Sequence, residues 1–172
     1  RGQTDVTTWL ENPVAISTRS SHTCALDNNV VHCWGYNGNG QNNVPTNLVN
    51  PVAVTAGESH TCAIDDNGVH CWGYNNYGQS DVPTDLVNPR AVSAGNRHTC
   101  AIDDNGLHCW GRNNYGQSDV PTDLVFDRDG DGVEDKDDTF PSDPNETTDT
   151  DGDGTGNNAD TDDDNDGIND AA

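Results

Sequence analysis

The sequence is poor in apolar side chains and in basic charge. Hydrophobic residues make up 30% of the 172 residues, against about 45–50% in an average soluble domain, so little apolar area is available for a core. The chain has seven Lys and Arg residues and 30 Asp and Glu residues, which gives a formal net charge of −23. A chain this acidic is repelled by nucleic-acid phosphates and anionic lipid headgroups, so we expect neither as a partner. No run approaches the roughly 18 apolar residues that cross a bilayer, so we expect no membrane span.

Methionine is absent, and the acidic residues are unevenly distributed. The lack of Met predicts a chain that starts at Arg1 after processing or is cut from a longer one. Residues 127–172 hold 18 of the 30 acids, no cysteine, and Phe140 as their only aromatic residue. Such a segment cannot close a hydrophobic core and needs another source of folding free energy. We therefore predict two domains, residues 1–126 and residues 127–172.

The first domain contains three copies of one unit. His-Thr-Cys-Ala begins at positions 22, 60 and 98, and Cys-Trp-Gly begins at positions 33, 71 and 109, so the copies are 38 residues apart. Each copy is predicted to hold three short strands, such as 52–56, 60–64 and 69–73 in the second copy. The Asp-Asn-Gly turn between the last two is typical of a hairpin. The pattern predicts an all-β repeat fold of short antiparallel strands.

The cysteines are predicted to pair within each hairpin. If the turn is the four residues 65–68, Cys62 lies directly opposite Cys71, and opposed Cβ atoms at a non-hydrogen-bonded position are close enough for a disulfide. The same register in each copy predicts three bridges: Cys24–Cys33, Cys62–Cys71 and Cys100–Cys109. Disulfides imply an oxidising compartment, so we expect an extracellular or cell-surface location.

A zinc site is the alternative interpretation of the same hairpin. His60, Cys62, His70 and Cys71 would supply two nitrogen and two sulfur ligands. Side-chain alternation argues against it, because His70 points to the opposite face from Cys71. A c-type haem is excluded, because Cys-x-x-Cys-His does not occur. Since the histidines at 22, 60 and 98 recur in every copy, we interpret them as structural. We interpret the tryptophans as packing between copies, with stacking on sugar rings as the alternative.

These motifs resemble the regulator-of-chromosome-condensation repeat, in particular the short bacterial form typified by β-lactamase inhibitor protein II. The resemblance covers residues 9–126. It implies blades of a β-propeller, which typically has seven blades in a closed ring, whereas this chain has three. Three blades leave apolar faces and strand edges open. We therefore expect self-association, or missing blades on a longer chain.

The acidic domain has the residue spacing of calcium-binding loops. Such a loop takes oxygen ligands from positions 1, 3, 5, 7, 9 and 12 and has glycine at position 6, and hard oxygen ligands favour calcium over zinc. The first loop offers Asp127, Asp129, Asp131, Val133 through its carbonyl, Asp135 and Asp138. The second offers Asp149, Asp151, Asp153, Thr155, Asn157 and Asp160. The third offers Asp162, Asp164, Asp166, Ile168 and Asp170, and its twelfth position would fall beyond Ala172.

These loops lack the flanking helices of an EF-hand. The three loops, which start at residues 127, 149 and 162, resemble the thrombospondin type 3 repeat over residues 127–170. This resemblance implies loops wrapped around calcium ions with almost no hydrophobic core. Aspartate at position 12 predicts weak sites with dissociation constants of about 10⁻⁴–10⁻³ M. Bound cations would supply the missing folding energy. The alternative is a solvated acidic linker that binds calcium only diffusely.

The sequence offers no nucleophile with a base and an orienting group, and no phosphate-binding loop, so we do not expect an enzyme. The leading hypothesis is a secreted or cell-surface structural protein of bacterial type, which forms an extracellular filament with copies of itself or belongs to a larger adhesin. The alternative is a partner-binding propeller that recognises a protein or a glycan through loops such as 74–79 and 112–117.

Overall fold

The computed structural model describes residues 2, 4 and 10–170 and contains two compact units. The first unit ends at Val120 and the second begins at Pro121. The division at 126–127 drawn from composition stays a prediction. The start of the repeat resemblance at residue 9, and residues 171 and 172 of the acidic domain, lie outside the described residues.

The first unit is built from three antiparallel sheets of three strands, each in sequential order. The first sheet, blade 1, has β1 (Pro13–Arg19), β2 (His22–Asp27) and β3 (Val30–Gly35). Blade 2 has β4 (Ala53–Ala56), β5 (His60–Asp65) and β6 (Gly68–Gly73). Blade 3 has β7 (Ala91–Ala94), β8 (His98–Asp103) and β9 (Gly106–Gly111). The predicted all-β repeat is confirmed. Across the described residues no helix forms, and none could therefore cross a membrane.

The hairpin between the second and third strands of a blade turns more tightly than the sequence predicts. Asp65 pairs with Gly68, so the connection holds two residues, and the four-residue loop was wrong. Gly68 has a φ of +114°, a backbone conformation that glycine adopts without steric cost. The predicted register survives the shorter turn, because Cys62 still lies opposite Cys71.

All three predicted disulfides are confirmed. Cys24–Cys33, Cys62–Cys71 and Cys100–Cys109 each have a Cα–Cα distance of 4.1 Å. This is close to the roughly 4.5 Å of a non-hydrogen-bonded antiparallel pair, the position that the sequence argument required. The zinc alternative is wrong, because Cys62 and Cys71 are bonded to each other and His70 Nε2 contacts Asp65 Oδ1 at 3.0 Å.

Buried hydrogen bonds join each blade to the next. His60 Nε2 of blade 2 lies 2.9 Å from Thr99 Oγ1 of blade 3. The main-chain carbonyl of Gln79 accepts hydrogen bonds from Thr99 Oγ1 at 2.9 Å and from Trp110 Nε1 at 3.1 Å. The junction of blades 1 and 2 has the same three bonds, made by His22, Thr61, Gln41 and Trp72. The structural interpretation of these histidines is confirmed, as is packing between copies for these two tryptophans.

The apolar core at these junctions is small. Its buried members are Leu26, Val31, Ala63 and Trp72. His60, Thr61 and Gln79 are as deeply buried as the apolar side chains, with 0% of each exposed. The blades are therefore held by a few apolar contacts combined with a fully buried polar network.

Acidification should destabilise the first unit through His60. Burial, and then the positive charges of His22, His98 and Arg19, lower the pKa of His60 to about 4. The unfolded chain, with an ordinary His pKa of about 6.5, therefore binds an extra proton between these two values. The free energy of unfolding should fall by about 3 kcal/mol as the pH falls through this window, with no further loss from His60 below it.

Urea denaturation at pH 7 and pH 4 measures this effect. Because His60→Gln removes the titrating group, the variant should lose less stability on acidification than the wild type, by up to about 3 kcal/mol. An equal loss in both proteins would contradict the assignment to His60.

Removal of one disulfide should cost measurable stability. The Cys62→Ala, Cys71→Ala double variant leaves no free thiol and should unfold with a free energy about 2–3 kcal/mol lower, since the crosslink restricts a short loop of the unfolded chain. Urea denaturation with tryptophan fluorescence measures the change. Cys100→Ala, Cys109→Ala is the matched variant and should show a similar loss. An unchanged midpoint in both would contradict the role assigned to the bridges.

Candidate functional site

The first acidic loop folds around its own carboxylates. Asp127 accepts hydrogen bonds from the backbone N–H groups of Gly130 at 2.8 Å and Gly132 at 3.1 Å. Asp131 Oδ1 accepts the N–H of Val133 at 2.7 Å. These bonds bring carboxylate oxygens of Asp127, Asp129 and Asp131 within 4.8 Å of one another. Positions 1, 3 and 5 of the predicted site therefore converge.

The other two loops repeat this arrangement. In each, the carboxylate at position 1 accepts the N–H of the glycine at position 6, at 3.0 Å in both cases. The three position-6 glycines, Gly132, Gly154 and Gly167, have φ values of +97°, +94° and +87°. Oxygens at positions 1, 3 and 5 again converge within 4.8 Å, from Asp149, Asp151, Asp153 and from Asp162, Asp164, Asp166. The glycine spacing thus encodes the turn that lets the acids meet.

The residue at position 9 closes each loop through hydrogen bonds. The N–H of Asp135 donates to the Phe126 carbonyl at 2.7 Å, and its Oδ1 accepts the N–H of Arg128 at 2.6 Å. The same pair of bonds is made by Asn157 and by Asp170. This closing role was missed by the sequence analysis, which treated position 9 only as a ligand. A ligand role for these residues stays a prediction.

Positions 7 and 12 lie within the same hydrogen-bond pattern. The N–H groups of Thr155 and Ile168 donate to the position-5 carboxylates at 2.7 and 2.8 Å, as that of Val133 does. Asp138 is 9% exposed and accepts the N–H of Phe140 at 2.8 Å. Asp160 accepts the N–H of Asp162 at 3.0 Å. Their roles as calcium ligands stay predictions.

Some carboxylate oxygens in the loops have no hydrogen-bond donor. The Oδ2 atoms of Asp129, Asp131 and Asp151 are buried and unpartnered within the described residues. Desolvation, followed by the negative charges of Asp131, Asp138 and Asp127, raises the pKa of Asp129. At Asp149 desolvation acts in the same direction, but the N–H groups of Gly154 and Gly152 outweigh it and lower the pKa. Clustered carboxylates of this kind are costly without a cation, so the donor set fits calcium.

The outer face of blade 3 is open. Ile102 is 36% exposed, whereas Ile64, at the equivalent position of blade 2, is 3% exposed. In the described part of the chain His98 has no threonine partner of the kind that His60 finds in Thr99. Ala91, Val92 and Leu107 line a shallow apolar hollow on this face. The face has the features of a blade junction without the next blade.

The loops that were predicted as binding surfaces carry stacked aromatic and cationic side chains. The guanidinium groups of Arg97 and Arg112 lie 5.0 and 5.4 Å from the centre of the Tyr77 ring. Arg112 also lies 5.6 Å from the centre of the Tyr115 ring. Tyr115 is 86% exposed, so the cluster faces solvent. Residue spacing carries no signal for this cluster, because it depends on contacts between blades.

Residues 52–79 and 90–117 match the family Regulator of chromosome condensation (RCC1) repeat. Similar solved structures include Prp20p from Saccharomyces cerevisiae, with 21% identity and a TM-score of 0.57 over 70% of this chain and 35% of that one. The ectodomain of the Physcomitrella patens receptor kinase CR4 has 27% identity and a TM-score of 0.52, over 66% and 34%. Human WBSCR16 has 25% identity and a TM-score of 0.54, over 65% and 37%.

The chain spans about a third of the length of these solved structures. No curated protein sequence matches it. Blades 2 and 3 thus resemble the repeat that the sequence motifs predicted, and the similar structures support a propeller-like fold for the first unit.

Calcium affinity should depend on the acids that converge and not on acidity alone. Asp129→Asn removes a carboxylate with an unpartnered oxygen and should weaken calcium binding by at least about tenfold. Asp137→Asn makes the same charge change at an exposed position outside the predicted ligand set, and it should change the affinity by less than about twofold. Calcium titration by calorimetry measures both, and limited proteolysis with calcium or EDTA reports ordering of the segment. Equal effects of the two variants would favour diffuse binding.

Proposed function

We propose that this chain is a non-enzymatic structural component of a secreted or cell-surface assembly, either an extracellular filament or part of a larger adhesin. The open outer face of blade 3 is the observation that carries the proposal. An exposed isoleucine, an apolar hollow and a junction histidine without a threonine partner in the described chain together favour a further blade as the occupant. The three disulfides support a location in an oxidising compartment.

The occupant of the open face is a blade from a second copy or from a longer chain. Gly2-Gln3 stands 38 residues before Gly40-Gln41, so the repeat register reaches back to residue 2. The 38-residue repeat supports the short bacterial form of the family, typified by β-lactamase inhibitor protein II.

In this proposal the second unit is a calcium-rigidified spacer of the thrombospondin type 3 kind. The shared hydrogen-bond pattern of its three loops and the unpartnered carboxylate oxygens support this role. Calcium would neutralise a segment that has no hydrophobic core and give it a fixed form. Such a spacer suits extracellular calcium concentrations, because sites of this type bind weakly.

Partner binding is the second candidate function. The structure of Prp20p was described together with the binding of Prp20p to Gsp1p and histones, so the partners of that protein are proteins. In this chain the exposed cluster around Tyr77 and Arg112 supports recognition of a ligand by the loops 74–79 and 112–117. The net charge of −23 argues against a nucleic-acid partner.

Electron microscopy of the purified protein in millimolar calcium tests the structural proposal. We expect filaments or longer assemblies that are lost in Ile102→Asp, because a charge on the open face opposes burial by another blade. Val30→Asp is the control, with the same charge change at an exposed valine of blade 1. Discrete particles at every concentration, together with a monomer mass by sedimentation, would contradict assembly through this face.

A further inference from the structure

The loop 112–117 and the residues around the start of β8 line a small cleft on the first unit. We name it the Arg–Tyr cleft. Its volume is about 230 Å³, below the roughly 300–1,000 Å³ of pockets for drug-sized ligands, so it suits one ring-sized group. Its lining residues are Asn96, Arg97, His98, Arg112, Tyr115 and Gln117. All of them belong to blade 3.

Arg112 lacks a polar partner in this cleft. Its Nε is buried without a hydrogen-bond acceptor, and no ion pair to its guanidinium forms among the described residues. The tyrosine rings of Tyr77 and Tyr115 hold the guanidinium by cation–π contacts. An arginine fixed in this way, with its donors unused, is prepared for a planar anion.

Arg97 adds a second positive charge with a weak internal partner. Its Nη1 donates to the Tyr77 hydroxyl at 2.9 Å, and its Nε lies 3.9 Å from Glu58, with both charged side chains well exposed. Exposed ion pairs at this distance contribute little, so an incoming anion can replace Glu58. By contrast, Arg90 donates to the Asp103 carbonyl at 2.7 Å and Lys136 lies 2.7 Å from Glu134. Arg112 is thus the arginine of the cleft for which the described residues supply no carboxylate partner.

We propose that the Arg–Tyr cleft binds a carboxylate-bearing sugar residue of an acidic polysaccharide. The proposal deepens the partner-binding function above and rests on it. Arg112 would hold the carboxylate through paired N–H donors, with Arg97 as the second charge. The exposed ring of Tyr115 would stack on the sugar face, since an aromatic ring offers a flat apolar surface with a polar edge. An acidic peptide lacks the flat ring that Tyr115 is placed to meet.

Docking of another blade would cover the floor of this cleft but not its rim. His60 and Gln79, the blade 2 counterparts of His98 and Gln117, are both 0% exposed beside blade 3. Tyr77 is the blade 2 counterpart of Tyr115, and it remains 39% exposed although blade 3 packs beside it. Arg97 on the other side of that junction also keeps 37% of its side chain exposed. The rim with Tyr115 therefore stays open to solvent in an assembled stack, whereas the floor is open only on a blade without a following neighbour.

The acidity of the chain sets the expected strength of binding. A net charge of −23 repels a polyanion at long range, but at physiological salt this repulsion is screened beyond about 8 Å. Contact with Arg112 lies within that distance. We therefore expect modest affinity, which falls in high salt as the ion pair is screened and in very low salt as the net charge repels the ligand.

Isothermal titration with oligogalacturonate in EDTA tests the proposal. Arg112→Gln should weaken binding by about tenfold to a hundredfold, since a charge-assisted hydrogen bond is worth about 1.5–3 kcal/mol. Arg112→Lys should restore only part of the affinity, because lysine keeps the charge but lacks the planar pair of donors. Arg19→Gln makes the same charge change at an exposed residue of blade 1 and should leave the affinity within about twofold. Near-ultraviolet circular dichroism checks that each variant keeps its fold.

Three further measurements show which chemical group of the ligand, and which part of the protein, is responsible for binding. The methyl ester of the same oligosaccharide should not bind, and equal binding would overturn the role of the carboxylate. Polyglutamate should bind more weakly, and tighter binding would assign the cleft to acidic peptides. Binding that requires calcium and is indifferent to Arg112→Gln would place the contact on the acidic loops. If the protein forms filaments but does not bind oligogalacturonate, this inference is wrong and the structural proposal still stands.

Discussion

The buried carbonyls of Gln41 and Gln79 are the points on which the stacking of the blades depends. Each accepts a threonine hydroxyl and a tryptophan indole from the following blade. The Gln79 side chain is itself buried, and its Oε1 accepts the N–H of Tyr77 at 3.0 Å, so the loop that presents the carbonyl is fixed from within. Buried polar groups are costly when unpaired, so each blade is stable only beside its neighbour. A chain with little apolar area thereby obtains specific junctions.

The acidic side chains follow the same principle, because their hydrogen bonds to backbone N–H groups hold the loops in place. Asp65 is buried at the end of β5, where its carboxylate accepts the N–H groups of Val49 and Asn67, and Asp103 has the same role in blade 3. In the second unit Asp127 and its counterparts accept backbone N–H groups in the same way. Carboxylates thus replace apolar contacts as the groups that fix loops. The two units differ in the partner of the remaining carboxylate oxygen, which is the His70 ring at 3.0 Å beside Asp65 and, in our proposal, calcium in the acidic loops.

Sequence reasoning was most successful where the determining contacts are local. A 38-residue repeat, strand alternation and the spacing of Cys62 and Cys71 define a hairpin almost completely, so strands and disulfides were predictable. Glycine at position 6 likewise predicted convergence of Asp127 with its neighbours. The polar role of Gln79 and the Arg112 cluster escaped prediction, because both join residues of different blades. Gln79 recurs with the repeat as Gln41 and Gln117, but the repeat alone does not show which groups its carbonyl meets. The two-residue turn was missed because Asp65 and Gly68 pair, which a turn motif alone does not reveal.

The groups left without partners indicate what the molecule requires from outside. Among the residues that the structure describes, Asp129 and Asp151 keep buried carboxylate oxygens that have no donor, and Arg112 keeps a buried donor that has no acceptor. The first kind requires a cation and the second an anion, although the chain holds many charges that could have paired internally. An extracellular acidic polysaccharide in the presence of calcium supplies both. A structural protein that bridges such a matrix would use the calcium loops and, on a blade with no following neighbour, the Arg–Tyr cleft, which connects the structural and partner-binding proposals in a single role.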